Sequence, residues 1–300
     1  MSPMIVLPPS AGVTGALRWE WVDPEGVIRD LSYETSPTLF VSRGAAGLGS
    51  PPVDLVLEKL PNTAGSIVRR ANTRPLEIEL PISAQATSFG SLMSVVEELR
   101  DWFDTGNERD RNPGYLRITR PHDDAVRQVA CYYAGGLEGD LNTGAPTWAP
   151  LVVSLVAPDP YWTPTVPEER TYGPADMLDP LTILQDGDFD AYPIWTISGP
   201  AHTIVLSHQT SGKAIVVNAN GGLTLLTGET LTIDTRPANQ RTTLPVIDGG
   251  GVSRFDRVAA GSALFWLPPG TNHFTVYAEG VSGATSFHLA WMARYRGVLR

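Results

Sequence analysis

The chain reads as a mainly β protein of two domains, and three features of its sequence say so. Short runs of alternating apolar and polar residues recur along its length. Gly 29 and Pro 26 make up about 18% of the 300 residues, above the ~12% of average usage, so turns are frequent. Sustained helical spacing occurs in a single segment. At ~100–200 residues per domain, the length gives two units that each close a core. A hydrophobic fraction of 42% against 18% charged residues excludes a disordered chain. The one cysteine, Cys131, excludes an internal disulfide framework and any multi-cysteine metal cluster. A net charge of −10 and a pI near 4.9 oppose a phosphate-gripping, nucleic-acid-binding surface.

Residues 1–9 are apolar but lack a basic start and a long hydrophobic run, and Pro8-Pro9 ends them, so no targeting segment is read there. No window approaches the ~18 apolar residues of a membrane span. The expectation is synthesis in a cytoplasm without export.

Residues 19–22 and 27–31 flank Asp23-Pro24-Glu25-Gly26 and predict a β-hairpin, because Pro presets the turn and Gly supplies positive φ. Residues 38–41 and 76–80 are further strands. Between them, residues 44–74 show no clear period and carry seven Gly or Pro residues. Such a stretch is either a binding loop or an excursion holding a small hairpin. Over residues 89–105, Leu92, Val95, Val96, Leu99, Trp102 and Phe103 recur at helical spacing and make one buried stripe. Ser88 caps the start, Gly106 ends it, and Glu97, Glu98 and Asp101 fall on the wet face, where carboxylates serve solvation rather than acid–base catalysis.

A long hairpin follows over 115–133, turning at Pro121-His122-Asp123-Asp124, with Cys131 as a small buried hydrophobe. The apolar run 148–156 closes on Ala157-Pro158-Asp159-Pro160-Tyr161-Trp162, where prolines stop the sheet. Domain boundaries are therefore expected at 1–162, with a proline-broken linker at 163–190 and a second domain at 191–300. In that second domain short strands recur at 194–197, 204–206, 214–217, 230–234, 263–267, 274–277 and 287–291, and Pro268-Pro269-Gly270-Thr271-Asn272 reads as a turn. Seven or more strands without a helix fit a galectin-like or jelly-roll β-sandwich.

No catalytic, cofactor-binding or metal-ligating residue emerges. Among the five histidines (His122, His202, His208, His273 and His288) only His202 and His208 come near ligand spacing. Gly280-Val281-Ser282-Gly283 lacks the final glycine of a nucleophile elbow. Around Ser211-Gly212-Lys213-Ala214, Ser207 replaces the first glycine of a phosphate loop and Ala214 its hydroxyl. Asp186-Gly187-Asp188-Phe189-Asp190 offers oxygens for calcium, yet the twelfth loop position is Ile197 rather than Glu. Trp195, Trp266 and Trp291 form either a sugar-stacking platform or, more in keeping with alternating strands, core.

Several of these stretches together resemble one family. Residues 131–139, the strand ending in Ala157-Pro158-Asp159-Pro160-Tyr161-Trp162, residues 187–199, 231–236, the Phe265-Trp266-Leu267-Pro268-Pro269-Gly270 run and residues 291–297 are similar to the distal tail (Dit) proteins of long-tailed siphovirus bacteriophages. The resemblance spans about 130–300 well and the N-terminal part more loosely. It implies an N-terminal belt domain, a β-sandwich with one helix and a long hairpin, and a C-terminal galectin-like sandwich outside it. It also implies a structural virion protein without cofactors, a minor tail protein that self-assembles as a six-membered ring at the distal end of the tail. There such a ring would join the tail tube to the tip or baseplate and let DNA pass. Its partners would be further copies of itself, the tail tube protein, the tape measure protein and the tail-tip hub protein. Ring contacts are expected from sheet edges and from residues 44–74, and acidic residues should outnumber basic ones on the bore. A carbohydrate-binding host-adhesion module is the alternative reading.

Overall fold

The computed structural model describes residues 16–61, 64–104, 112–138, 147–218, 223–237 and 246–298. The chain divides into two units, one of residues 1–165 with 296–300 and the other of residues 166–295.

The first unit begins with the expected hairpin, β1 (Arg18–Val22) and β2 (Ile28–Asp30). Asp23 shapes the turn: its Oδ1 accepts from the Val27 amide at 2.7 Å, its Oδ2 meets Arg29 at 3.1 Å, and Gly26 takes φ 86°. Strand β3 (Leu39–Val41) follows, then β4 (Val53–Lys59) and β5 (Ser66–Thr73). The remaining elements are β6 (Leu76–Gln85), helix α1 (Phe89–Phe103), β7 (Gly114–Thr119), β8 (Val126–Gly135) and β9 (Trp148–Ala157). An antiparallel seven-stranded sheet runs in the order β2-β1-β7-β8-β9-β6-β3, while among the described residues β4 and β5 form a separate two-stranded sheet.

Alternation decides which side of the sheet is dry. Trp19, Trp21, Leu116, Ile118, Val129, Cys131, Val153, Leu155, Ile78, Leu80 and Ile82 are buried. Helix α1 adds Leu92, Val96, Leu99 and Phe103 to this core and leaves Glu97, Glu98 and Asp101 exposed. Ser88 Oγ accepts from the Ser91 amide at 3.2 Å, satisfying one orphan donor of the first turn. The helix stops at Phe103 with Asp104 as its cap; the stop expected at Gly106 lies outside the described residues. Trp21 ties sheet to helix, its Nε1–H donating to the Trp102 carbonyl at 2.6 Å and its ring meeting Phe103 at 4.6 Å.

The second unit is a sandwich with nine strands among the described residues. Residues 163–190, read from the sequence as a linker, contribute two of its strands, β10 (Glu168–Tyr172) and β11 (Leu181–Gln185). Pro164 and Pro167 precede β10, and Pro174 and Pro180 lie between β10 and β11, so none interrupts a strand; both are edge strands that need ladder bonds on one side only. Strands β12 (Ile194–Ser198), β13 (Ile204–His208), β14 (Lys213–Val217), β15 (Thr230–Asp234), β16 (Val246–Asp248), β17 (Gly270–Ala278) and β18 (Ser286–Trp291) complete it. One sheet runs β10-β18-β12-β15-β16 and the other β11-β17-β13-β14. Between them lie Trp195, Ile197, Ile204, Leu206, Leu231, Phe274, Val276, Phe287, Leu289 and Trp291.

The strand expected at 263–267 does not form. Leu267 makes a single bridge to Ala191 and the rest is irregular. Phe265 and Leu267 are buried while Leu264 and Trp266 are not, so the alternation reports inside and outside without a neighbouring ladder to make a strand. The expected turn at 268–272 is likewise shorter, because Gly270, Thr271 and Asn272 already belong to β17.

Candidate functional site

Each chemically suggestive group resolves into a structural role. His208 is fully buried, stacked on Phe265 at 5.0 Å, with Nε2 3.0 Å from Asn272 Oδ1 and Nδ1 2.7 Å from Ser211 Oγ. Asn272 Nδ2 already donates to the Pro268 and Gly270 carbonyls at 2.9 Å each, so its Oδ1 is an acceptor. His208 therefore carries its proton on Nε2 and accepts the Ser211 hydroxyl at Nδ1. Burial pushes its pKa down, partly opposed by the Asn272 bond. The network superficially resembles a serine–histidine pair, but its effect is to satisfy both nitrogens of a core imidazole. His202 lies at the other end of β13, beside Glu279 at 3.3 Å, and the two histidines do not converge.

The Asp186–Asp190 run is likewise consumed by packing. Asp186 Oδ1 accepts from the Tyr295 hydroxyl at 2.5 Å, the Asp188 amide donates to the Arg294 carbonyl at 2.8 Å, and Gln185 Nε2 donates to the Phe189 carbonyl at 2.6 Å. Among the described residues no group of three or more His, Cys, Asp or Glu is placed to hold a metal ion. Trp195 and Trp291 are core, whereas Trp266 is 39% exposed with Lys213 Nζ 3.4 Å from its ring centre. The three tryptophans thus do not make a common platform. Burial raises the Cys131 thiol to about 12, which leaves it unreactive.

One feature remains that burial does not explain. The β4–β5 hairpin lies within residues 44–74, so that stretch holds a hairpin. Its root is closed by the Arg74 amide donating to the Pro52 carbonyl at 2.9 Å. Beyond the root every residue of β4 is exposed, and of β5 only Asn72 is even half-buried. Val53, Leu55, Val56, Leu57, Ile67 and Val68 are 42–57% exposed, although they are the residue types a fold most readily buries. Contiguous apolar surface of this kind marks an interaction site. Alternation at Val53, Leu55 and Leu57 was available in the sequence as a strand signal, but it is short, and the facing strand breaks step.

Residues 186–295 match the family described as siphovirus-type tail component, C-terminal domain. In fold, the chain is similar to the Dit protein of phage SPP1, described as a paradigm of the hub adsorption apparatus in phages infecting Gram-positive hosts. The TM-score is 0.64 at 13% identity, over 93% of this chain and 99% of that one. It is also similar to a chain of the phage P2 baseplate in its activated conformation with Ca, with a TM-score of 0.55 at 9% identity over 94% of this chain and 100% of that one. No curated protein matches it in sequence. The resemblance read from the sequence, and the mainly β, two-part fold it implied, are borne out.

Proposed function

We propose that this chain is a structural component of a siphophage tail that self-assembles as a ring at the distal end, between the tail tube and the tip. The observation that carries the reading is a fold shared with SPP1 Dit over nearly the full length of both chains. The exposed hairpin adds a means of self-association that an isolated subunit has no use for. The expected partners are the tube, tape measure and hub proteins, in a virion assembled in the host cytoplasm. The expected domain roles are a ring-forming belt for 1–162 and a peripheral sandwich for 191–300.

DNA would cross such a ring without being bound. Residues 1–160 carry 13 basic and 20 acidic residues, and like charge on a bore lets a duplex slide. Particle imaging of the purified protein tests the proposal directly: rings are expected, and a uniformly monomeric population at micromolar concentration would refute it. A bore lined mainly by basic side chains would refute the sliding argument. Of the three tryptophans nominated for the carbohydrate reading Trp266 is exposed, as are His273 and the His202 side chain, and a glycan array of the full chain tests that reading.

A further inference from the structure

The β4–β5 hairpin has two chemically different faces, and a β-bulge sorts them. Directly opposed residues of an antiparallel pair project to the same side. The register Val53↔Thr73, Leu55↔Ala71, Leu57↔Val68 and Lys59↔Ser66 therefore gathers Val53, Leu55, Leu57, Val68 and Ala71 on one face, with Thr73 at its root and Lys59 and Ser66 at its tip. The intervening pairs, Asp54↔Asn72, Val56↔Arg70 and Glu58↔Ile67, make a more polar face. Arg69 is the extra residue where the register shifts between Val56 and Leu57. Were it paired instead of bulged, Arg69 would face Leu57 and Val68 would stay in step with Arg70 and Asn72 on the polar side. The bulge thus keeps Val68 on a largely apolar face that stands exposed among the described residues.

Charge indicates what covers it. Residues 52–74 hold Lys59, Arg69, Arg70 and Arg74 against Asp54 and Glu58, a net of +2, whereas the remainder of 1–160 holds 9 basic and 18 acidic residues. Such an arm is electrostatically complementary to the body of its own unit, yet its residues stand exposed. The outer face of β9 offers a matching seat. Trp148, Pro150 and Val152 are exposed at successive outward positions, with Pro81 opposite Val152 and exposed Glu79 and Glu77 opposite Ser154 and Val156. Val53, Leu55 and Leu57 repeat at the same ~7 Å interval as Trp148, Pro150 and Val152.

We infer that the apolar face of β4–β5 seats on the outer β9–β6 surface of a second copy of this chain, with the acidic rim of that surface attracting the basic arm. The inference rests on the ring reading above and names its fastener. Because arm and seat are different surfaces, the contact is heterologous and propagates from copy to copy until it closes.

The test is light scattering of the full chain and of three variants. Leu55→Asp/Leu57→Asp and Trp148→Asp/Val152→Asp should each raise the concentration for half-assembly at least ~100-fold, because carboxylates would enter an apolar contact. Val56→Asp, on the opposite face, should assemble as the parent does. An equimolar mixture of the first two variants should give dimers and no rings, since only one good contact forms per pair. Disruption by Val56→Asp equal to that by Leu55→Asp/Leu57→Asp, or rings from the Trp148→Asp/Val152→Asp variant, would overturn the face and seat assignment. A monomeric parent chain would instead overturn the ring reading itself. Oxidation of a Leu57→Cys/Val152→Cys chain supplies a readout that tolerates no misfolding: a ladder of cross-linked copies is expected, and its absence from assembled protein counts against the seat.

Discussion

Replacing residues 52–72 by two glycines should leave the first unit folded with almost unchanged stability while abolishing assembly. The magnitude follows from what the hairpin touches. Its strands are exposed, so their removal forfeits almost no burial within the monomer. The Arg74–Asp54 ion pair at 3.2 Å is lost, but both side chains are more than half exposed, and such pairs contribute ~0–1 kcal/mol. The bridge between Ala46 and Glu79 closes a loop spanning 33 positions, which shortens to 14. Loop-closure entropy then favours the variant by about 0.8 kcal/mol. The opposing effects leave a net change within ~1 kcal/mol, a shift of ~2–4 °C in midpoint for a unit of this size. Thermal unfolding must be followed at a dilution where the parent is monomeric, because assembly raises its apparent midpoint. A drop beyond ~6 °C would show that the hairpin supports the body of its own subunit, and rings from the shortened chain would show that the fastener lies elsewhere.

Further outcomes follow from the cores. Ser88→Ala should cost ~1 kcal/mol in the first unit, read from its denaturant midpoint, because the Ser91 amide loses its acceptor. With its thiol pushed up to about 12 against an ordinary 9.0, native Cys131 at pH 8 holds ~1000-fold less thiolate than the unfolded chain, and labelling should proceed only at the rate of opening. His208 has its pKa lowered in the fold, so above pH 6.5 both states are neutral and its contribution to stability is complete. As the pH falls below 6.5 the unfolded chain takes up a proton that the native imidazole refuses, and the second unit should lose stability until the folded pKa is passed. Imidazole NMR signals should show the neutral Nε2–H tautomer still populated at pH 6; titration at or above 6.5 would contradict the buried network.

The sequence-based reading succeeds where a side chain's environment follows from local period. The stripe from Leu92 to Phe103, the Asp23–Gly26 turn and the buried Cys131 are all visible in spacing alone, because 3.6- and 2-residue periods express which side of an element meets solvent. Residues 263–267 show the limit. Their alternation is real in the structure, with Phe265 and Leu267 inside, but no strand lies alongside. At 163–190 the prolines suggested a linker, yet they fall outside two strands whose partners, β18 and β17, lie about a hundred residues away.

What the amino-acid sequence determined by itself was therefore the partition of residues between core and surface and the two-part β architecture. Only the tertiary structure decided who pairs with whom. Strand partners, the buried network around His208 and the bulge at Arg69 depend on hydrogen bonds between chain segments or across a register. Solvent preference is carried by each side chain, but pairing is a property of two strands at once. Leaving one residue, Arg69, out of the ladder is what sets Val68 rather than an arginine opposite Leu57.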